Sequence, residues 1–369
     1  MSHPVLFSPS NLGSLPLKNR TLVAPMTRIS ALPSGEVGPL MSDYYKAFAD
    51  GGFAAVITEG VYTDELYSQG YRNQSGIANQ TQAESWKPLI RTVQESGAKV
   101  IMQLMHAGAL SQHNRFSSET AAPSAFQPMG EQLEIYHGKG GYALPKALSA
   151  DDIKDVVQGF TDAARRAQDA GVDGLEIHGA NGYLLDQFAT DYSNLRSDHY
   201  GGSVANRIRL TCEITAAVRE AAGKDFTLGV RISQAKVNNY DHRWAGAEDD
   251  AKLIFSGLAE AGASFLHTTE HHGDQPAFGQ EGGQTLAALA KAFSGLPVIA
   301  NGKLDEPDRA EALLAAGKAD FVSIGKAALA APDWPERVLQ DRPRPEFDFG
   351  LLSPIADIGN SLRFHNTQS

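Results

Sequence analysis

In the segment Glu176-Ile177-His178-Gly179-Ala180-Asn181-Gly182-Tyr183, a buried-strand pattern runs into three side chains able to hold and protonate an oxygen-bearing substrate. His178 and Asn181 offer N–H donors, and Tyr183 offers a phenol whose reference pKa of about 10 keeps it protonated at neutral pH. Gly179 and Gly182 predict a sharp backbone turn just past the end of the strand, from which His178 and Asn181 project together. The same residue types cap helices, which is what they more often do in isolation, so taken alone the segment also reads as the start of the helix that follows.

Other polar residues fall at similar places. Apolar runs end in Pro25-Met26-Thr27-Arg28, Thr58-Glu59-Gly60, Gln103-Leu104-Met105-His106, Arg231-Ile232-Ser233, Asn301-Gly302-Lys303 and Gly325-Lys326. Asn301-Gly302 and Gly325-Lys326 combine backbone N–H groups near helix starts with a cation, the means of holding a phosphate after the seventh and eighth strands of a barrel. Gln103 and Arg231, on the far side, suit the polar edge of a planar ring. The picture is of a phosphorylated aromatic cofactor lying across the mouth of the fold.

The elements that must position these groups follow one repeated joint. A helical pattern ends in Gly and a short apolar run follows, at Gly51-Gly52, Gly97, Gly171, Gly223, Gly262, Gly295 and Gly317. The spacing predicts eight strands, at Leu22–Ala24, Ala54–Thr58, Val100–Leu104, Gly174–Ile177, Thr227–Ile232, Phe265–Thr268, Pro297–Ala300 and Phe321–Ile324. Helices are predicted over Ile153–Ala170, Val204–Ala222, Ala247–Ala261 and Glu306–Ala316, the alternation of an α/β chain folded as a (β/α)8 TIM barrel. A doubly wound sheet would share the alternation, but it usually has a glycine-rich first turn, which Ala24-Pro25-Met26-Thr27 is not.

One domain is expected over residues 1–369, with a lid insertion at 106–145 after strand three and a C-terminal tail at 342–369 packing outside the barrel. The insertion holds a hairpin-like Leu133-Glu134-Ile135-Tyr136. Residues before Leu22 are expected to plug the opposite end, and His271–Gln284 to form a glycine-rich loop after strand six.

The 369 residues are 42% hydrophobic and 20% charged, ordinary for a globular protein, and the net charge of −11 disfavours nucleic acid or an acidic membrane as partner. Cys212 is the only cysteine, so no intrachain disulfide or cysteine-ligated cluster can form, and the helical surroundings read as a buried, inert thiol. No signal-peptide pattern or membrane-length apolar stretch occurs, and a cytoplasmic location is expected.

The chain resembles the Old Yellow Enzyme family of FMN-dependent ene-reductases. The resemblance rests on Ala24-Pro25-Met26-Thr27-Arg28, on Gln103-Leu104-x-His106-x-Gly108, and on His178-Gly179-Ala180-Asn181-Gly182-Tyr183-Leu184. It continues through Asp186-Gln187-Phe188, Arg196-x-Asp198-x-Tyr200-Gly201-Gly202-Ser203, Asn206-Arg207 and Ala331-Pro332-Asp333. It implies an NAD(P)H:flavin oxidoreductase acting on activated C=C bonds, with bound FMN, NADPH or NADH as hydride donor, activated alkenes as substrates and no metal; an oligomer is compatible with it. Pro25, Met26, Thr27 and Gly60 would line the flavin, Gln103 and Arg231 bind its pyrimidine edge, and Asn301, Gly302, Lys303, Gly325 and Lys326 hold its phosphate. His178 and Asn181 would bind the substrate oxygen, Tyr183 would give the proton, and Tyr71 and Met105 would line the substrate pocket. Met105 stands where many relatives have Trp, and Lys326 replaces the usual Arg, a bidentate clamp, with a point charge.

A rival is a metal-dependent barrel hydrolase using His178, His267, His271 and His272, although strand one lacks the paired histidines such barrels use. A Schiff-base aldolase needs an inner lysine that no predicted strand supplies, and a non-catalytic scaffold leaves the polar strand ends unexplained. Another flavin chemistry on the same barrel is the nearer alternative.

Overall fold

The computed structural model describes residues 2–368; Met1 and Ser369, counted above in the domain and the tail, lie outside the described residues. Eight parallel strands close on themselves: β1 (Thr21–Val23), β2 (Ala55–Ile57), β3 (Lys99–Met105), β4 (Gly174–Asn181), β5 (Thr227–Lys236), β6 (Phe265–Thr269), β7 (Val298–Asn301) and β8 (Phe321–Ile324). Each pairs with the next, and β8 pairs with β1, so the ladder has no edge. The outer helices are α1 (Met41–Asp50), α2 (Gln80–Glu95), α3 (Ala150–Ala170), α4 (Arg209–Ala222), α5 (Ala247–Glu260), α6 (Leu286–Ser294), α7 (Pro307–Ala315) and α8 (Trp334–Leu339). The expected barrel is therefore present.

The recurring glycine does what the joint requires. Gly52, Gly97, Gly171, Gly223, Gly262, Gly295 and Gly317 all have positive φ, closing a helix in a conformation that costs other residues dearly. Of the Gly51-Gly52 pair at the first joint it is Gly52 that turns; Gly51 has φ −78°. Strands are sealed because helices cover the outside and interior side chains fill the inside, so β8 reads as four consecutive buried residues.

A hairpin of Ser10–Leu12 and Leu15–Leu17 closes the floor. Leu12, Leu15 and Leu17 pack with Leu22, Ile57, Ile101, Phe265, Ile299 and Phe321 in a cluster separate from the main core.

Three expectations are corrected. Strand four does not end at Ile177: β4 runs on to Asn181, and the turn comes at Gly182, φ +88°. Gly179 is needed for close approach, since a Cβ there would stand 3.1 Å from the Arg231 carbonyl oxygen. Leu133–Tyr136 is no hairpin; Glu134–Tyr136 is a 3-10 turn closed by His137 at φ 64°. The tail does more than pack outside. Ile355 joins the side chains at the barrel mouth, and the chain then ends in a helix, Ile358–Gln368.

Candidate active site

The capping reading of the central segment fails on geometry. Tyr183 occupies the N-cap position of the short helix Leu184–Ala189, but its side chain makes no capping bond. Its hydroxyl instead lies 2.6 Å from the Tyr71 hydroxyl, with both rings sealed from solvent. Burial pushes both phenols above their ordinary pKa. Either hydroxyl can be the donor in this bond; with Tyr71 donating, the Tyr183 proton is free for another acceptor.

His178 stands on β4 in register with Arg231 on β5, which in turn is in register with His267 on β6. Partners in register on parallel strands face the same side, and these face the barrel interior. Burial lowers the His178 pKa well below its ordinary value, with the Arg231 charge adding to the effect, so the ring is neutral. Its Nδ1 is buried and has no partner. The His178 and Tyr183 rings are 5.1 Å apart, centre to centre. Asn181 follows at φ +64°, an uncommon conformation that Asn tolerates, with its N–H given to Ser233 Oγ at 2.8 Å.

Arg231 is 5% exposed, and among the described residues no carboxylate lies within ion-pair distance of it. Burial lowers its pKa to about 10, which leaves it charged at neutral pH. Its Nη2 donates to Asn301 Oδ1 at 3.1 Å, while its Nε is buried without a partner. Below it, Glu176 accepts from Gln103 Nε2 at 2.7 Å and lies 2.7 Å from His267 Nδ1. Burial pushes the Glu176 carboxyl up, but His267, the Arg231 charge and the Gln103 amide outweigh it and hold it below its ordinary value. Burial keeps His267 neutral, so its Nδ1–H goes to Glu176 and its Nε2 accepts from Ser323 Oγ at 2.8 Å. Glu176 is thus the counter-charge of Arg231, a role signalled only by an acid inside the apolar run Gly174-Leu175-Glu176-Ile177.

Pro25, Met26 and Thr27 are half-buried between the sealed Ala24 and Arg28, an opening in an otherwise closed wall. Gly60 is a site of close approach, where a Cβ would lie 2.4 Å from Met105 Sδ. Met105 is 1% exposed and is covered by Gly60 and Gln74, so it underlies the pocket wall. It shares a cluster with Tyr71, Tyr183, Ile29, Leu110 and Tyr142, against which Tyr136 and Ile355 pack. Tyr136 and Tyr142, from the 106–145 insertion, and Ile355, from the tail, are mouth residues that strand-end reasoning does not reach.

At the other side, Lys303 and Lys326 border a cavity of about 770 Å³ whose outer wall is the tail segment Asp341–Phe347. Lys326 Nζ lies 5.4 Å from the centre of the Phe347 ring, and Lys303 Nζ is 3.3 Å from His272 Nε2. Gly325 opens the short helix Lys326–Ala330, whose first N–H groups have no carbonyl within the helix. Gly302 is not at a helix start; α7 begins only at Pro307, and Gly302 and Lys303 instead turn the chain with φ 129° and 47°. The Asn301 side chain is spent on Arg231, on Thr269 Oγ1 at 2.8 Å and on the Ser323 carbonyl at 2.9 Å, so it braces the guanidinium.

The metal reading is not favoured. His267 uses both ring nitrogens within the barrel, His271 and His272 sit together on the loop near Lys303, and among the described residues no three His, Cys, Asp or Glu side chains group to hold an ion.

A barrel with two lysines bordering a cavity after strands seven and eight, and a sealed guanidinium without a carboxylate partner inside the strand ends, is the architecture of a flavin mononucleotide oxidoreductase. The buried Arg231 Nε without a partner and the half-open Pro25–Thr27 wall fit such a group. The chain belongs to the NADH:flavin oxidoreductase / NADH oxidase family, whose model matches residues 5–345. This is the Old Yellow Enzyme family, and its members take FMN and a nicotinamide hydride donor. The chain is 33% identical over 357 residues to an NADH oxidase of Thermoanaerobacter brockii, covering 93% of this chain but only 52% of that protein. It is 35% identical to 12-oxophytodienoate reductase 7 of Oryza sativa subsp. japonica, covering 90% and 87% of the two. Among solved structures, the Old Yellow Enzyme homologue from Zymomonas mobilis superposes with a TM-score of 0.87 at 30% identity, covering 97% of this chain and 99% of that one. Morphinone reductase in complex with tetrahydroNAD gives 0.85 at 31%, covering 97% and 96%. No helix among the described residues is long and apolar enough to cross a membrane.

Proposed function

We propose that this flavin oxidoreductase is an ene-reductase, reducing the C=C bond of an α,β-unsaturated carbonyl or nitro compound in a ping-pong cycle. Bound FMN would supply the redox chemistry, taking a hydride from NAD(P)H and giving it to the β-carbon of the alkene. Arg231 and Gln103 hold the polar edge of the ring, with Pro25, Met26, Thr27 and Gly60 along it and Gly302, Lys303, Gly325 and Lys326 around the phosphate. His178 and Asn181 bind the substrate oxygen. A neutral imidazole is suited to this, since it donates one N–H without adding a second buried cation beside Arg231. Positioned donors of this kind are worth a few kcal/mol where negative charge develops, about 3 kcal/mol each.

Tyr183 protonates the α-carbon. In this reading Tyr71 is the donor of the shared hydrogen bond, which frees the Tyr183 proton for the substrate and stabilises the phenolate left behind. The observation that carries this reading is the sealed Tyr71–Tyr183 pair, 2.6 Å apart, beside a His178 ring with an unpartnered nitrogen. The names of similar proteins, 12-oxophytodienoate reductase and morphinone reductase, agree with it.

The test separates the two half-reactions anaerobically. Tyr183→Phe is expected to slow alkene reduction by roughly 10²–10⁴ while flavin reduction by NAD(P)H changes only a few-fold. Equal losses in both half-reactions would remove Tyr183 from the donor role.

A further inference from the structure

Directly behind the mouth lies a charge pair that none of this chemistry uses. Lys236 Nζ and Asp186 Oδ1 are 2.6 Å apart with side-chain exposures of 1% and 2%. Among the described residues it is the only Lys or Arg to carboxylate pair in which both partners are sealed; the others have at least one partner substantially open. Removing two charges from water is costly, and a well-packed apolar pair would often be as stable. The pair is therefore poorly explained by stability alone.

Its surroundings supply a reason. The other Asp186 oxygen, Oδ2, accepts from the Gly182 N–H at 2.7 Å, and the next residue, Gln187, donates Nε2–H to the Gly182 carbonyl at 2.7 Å. Both backbone polar groups of the residue between Asn181 and Tyr183 are thus held by consecutive side chains of one short helix. Gly182 is the turning point, at φ +88°, with no room for a side chain: a Cβ would stand 2.9 Å from Asn238 Oδ1 and 3.3 Å from Lys236 Cβ. From the opposite side, β5 slips register after Ile232 and re-pairs at Lys236 with Asn181, while the Val237 N–H reaches the Asn181 carbonyl at 3.1 Å. Lys236 fixes the direction of the carboxylate, and the carboxylate fixes the turn.

We propose that Asp186 and Lys236 are positioning residues of the proton-transfer step: the buried pair locks the Gly182 turn and so sets the Tyr183 hydroxyl relative to His178 and Asn181. This rests on the proposed role of Tyr183. The pair touches neither substrate nor flavin. Its effect lies in geometry, where a displacement of the order of 1 Å costs about a hundredfold in rate.

The experiment compares two double variants of the FMN-loaded enzyme with the parent. Asp186→Leu/Lys236→Met removes both charges and leaves the Gly182 N–H without its acceptor, while Gln187 still holds the Gly182 carbonyl. Asp186→Asn/Lys236→Met is equally uncharged but retains an amide oxygen for the Gly182 N–H. The first is expected to lose about a hundredfold in single-turnover alkene reduction, with flavin reduction by NAD(P)H and FMN content within a few-fold of the parent. The second is expected to recover at least tenfold of that loss. In a Tyr183→Phe background the Leu/Met pair should add less than threefold, because the group it positions is gone. The phenol charge-transfer band gives a readout without turnover: its dissociation constant should rise in the Leu/Met variant and return toward the parent value in the Asn/Met variant. Unchanged alkene reduction in the Leu/Met variant, an equal loss in both half-reactions, or a full additional loss on top of Tyr183→Phe would overturn the positioning role. If Tyr183→Phe alone leaves alkene reduction unchanged, the proton donor is misassigned and this inference falls with it; if Tyr183→Phe is slow but the Leu/Met variant is fast, only the inference falls.

Discussion

At the residue scale, burial acts on the groups at the mouth in opposite senses, and both senses serve the proposed chemistry. It raises Tyr183 and lowers His178, so each is held in its neutral, proton-bearing form. Since the ordinary histidine value is 6.5 and His178 lies well below it, kcat/KM for an alkene should show no His178 titration between about pH 6 and 8. A pH–rate inflection near the ordinary value that disappears in His178→Asn would contradict this. Tyr71→Phe should slow alkene reduction by about tenfold, through loss of the bond that stabilises the Tyr183 phenolate, and should add little in a Tyr183→Phe background. His178, Asn181 and Tyr183 were legible because polar residues stand out at the end of an apolar run. Tyr71 was legible only through family resemblance, and its bond to Tyr183 not at all, since the two are far apart in sequence and meet only when β4 closes against the loop after β2. The roles of Glu176, Asp186 and Lys236 were not legible because their partners lie on other elements, distant in sequence.

At the element scale, strands and helices were read within a few residues because each βα unit repeats one pattern of apolar run, amphipathic helix and glycine stop. The errors fall where tertiary contact extends an element. β4 and β5 overrun their apolar cores to Asn181 and Lys236 because the extra residues pair with each other, and no local propensity announces that. The tail is a second case. Arg28, 1% exposed, donates to the carbonyls of Ala356 and Asp357 and to Ser361 Oγ, tying the C-terminal segment to the loop after β1. Arg28→Ala should destabilise the protein by about 3 kcal/mol and make the tail the first site of limited proteolysis. Unchanged thermal stability and an unchanged cleavage pattern would show that the tail is held elsewhere.

At the scale of the whole molecule, closure of eight strands puts every strand end on one rim, which is why scattered sequence motifs resolve into a single site. The insertion and the tail escaped that logic. Neither carries a period, and each is placed by contacts such as Tyr136 against Tyr71, with ring centres 4.8 Å apart. The closed interior also has a cost in acid. His106, His178 and His267 are sealed and hold pKa values below the ordinary 6.5, so below about pH 6.5 the unfolded chain binds more protons at these positions than the native chain. Stability should therefore fall as pH falls through that region. Glu59, Asp186 and Glu270, raised by burial, titrate in the opposite sense, so the cleanest measure is the difference made by one histidine. In His178→Asn, the drop in Tm between about pH 7.5 and 6 should be smaller than in the parent; an equal or larger drop would show that His178 takes up a proton in the native state.

The most direct test of the central claim is a spectral titration of the FMN-loaded protein with a para-substituted phenol. A phenolate held over the flavin by His178 and Asn181 gives a broad long-wavelength charge-transfer band, which should saturate in the parent and be lost in His178→Ala/Asn181→Ala. A flavin spectrum that does not respond to the phenol, or a band that survives in the double variant, would contradict the assignment of His178 and Asn181 as the oxygen-binding pair.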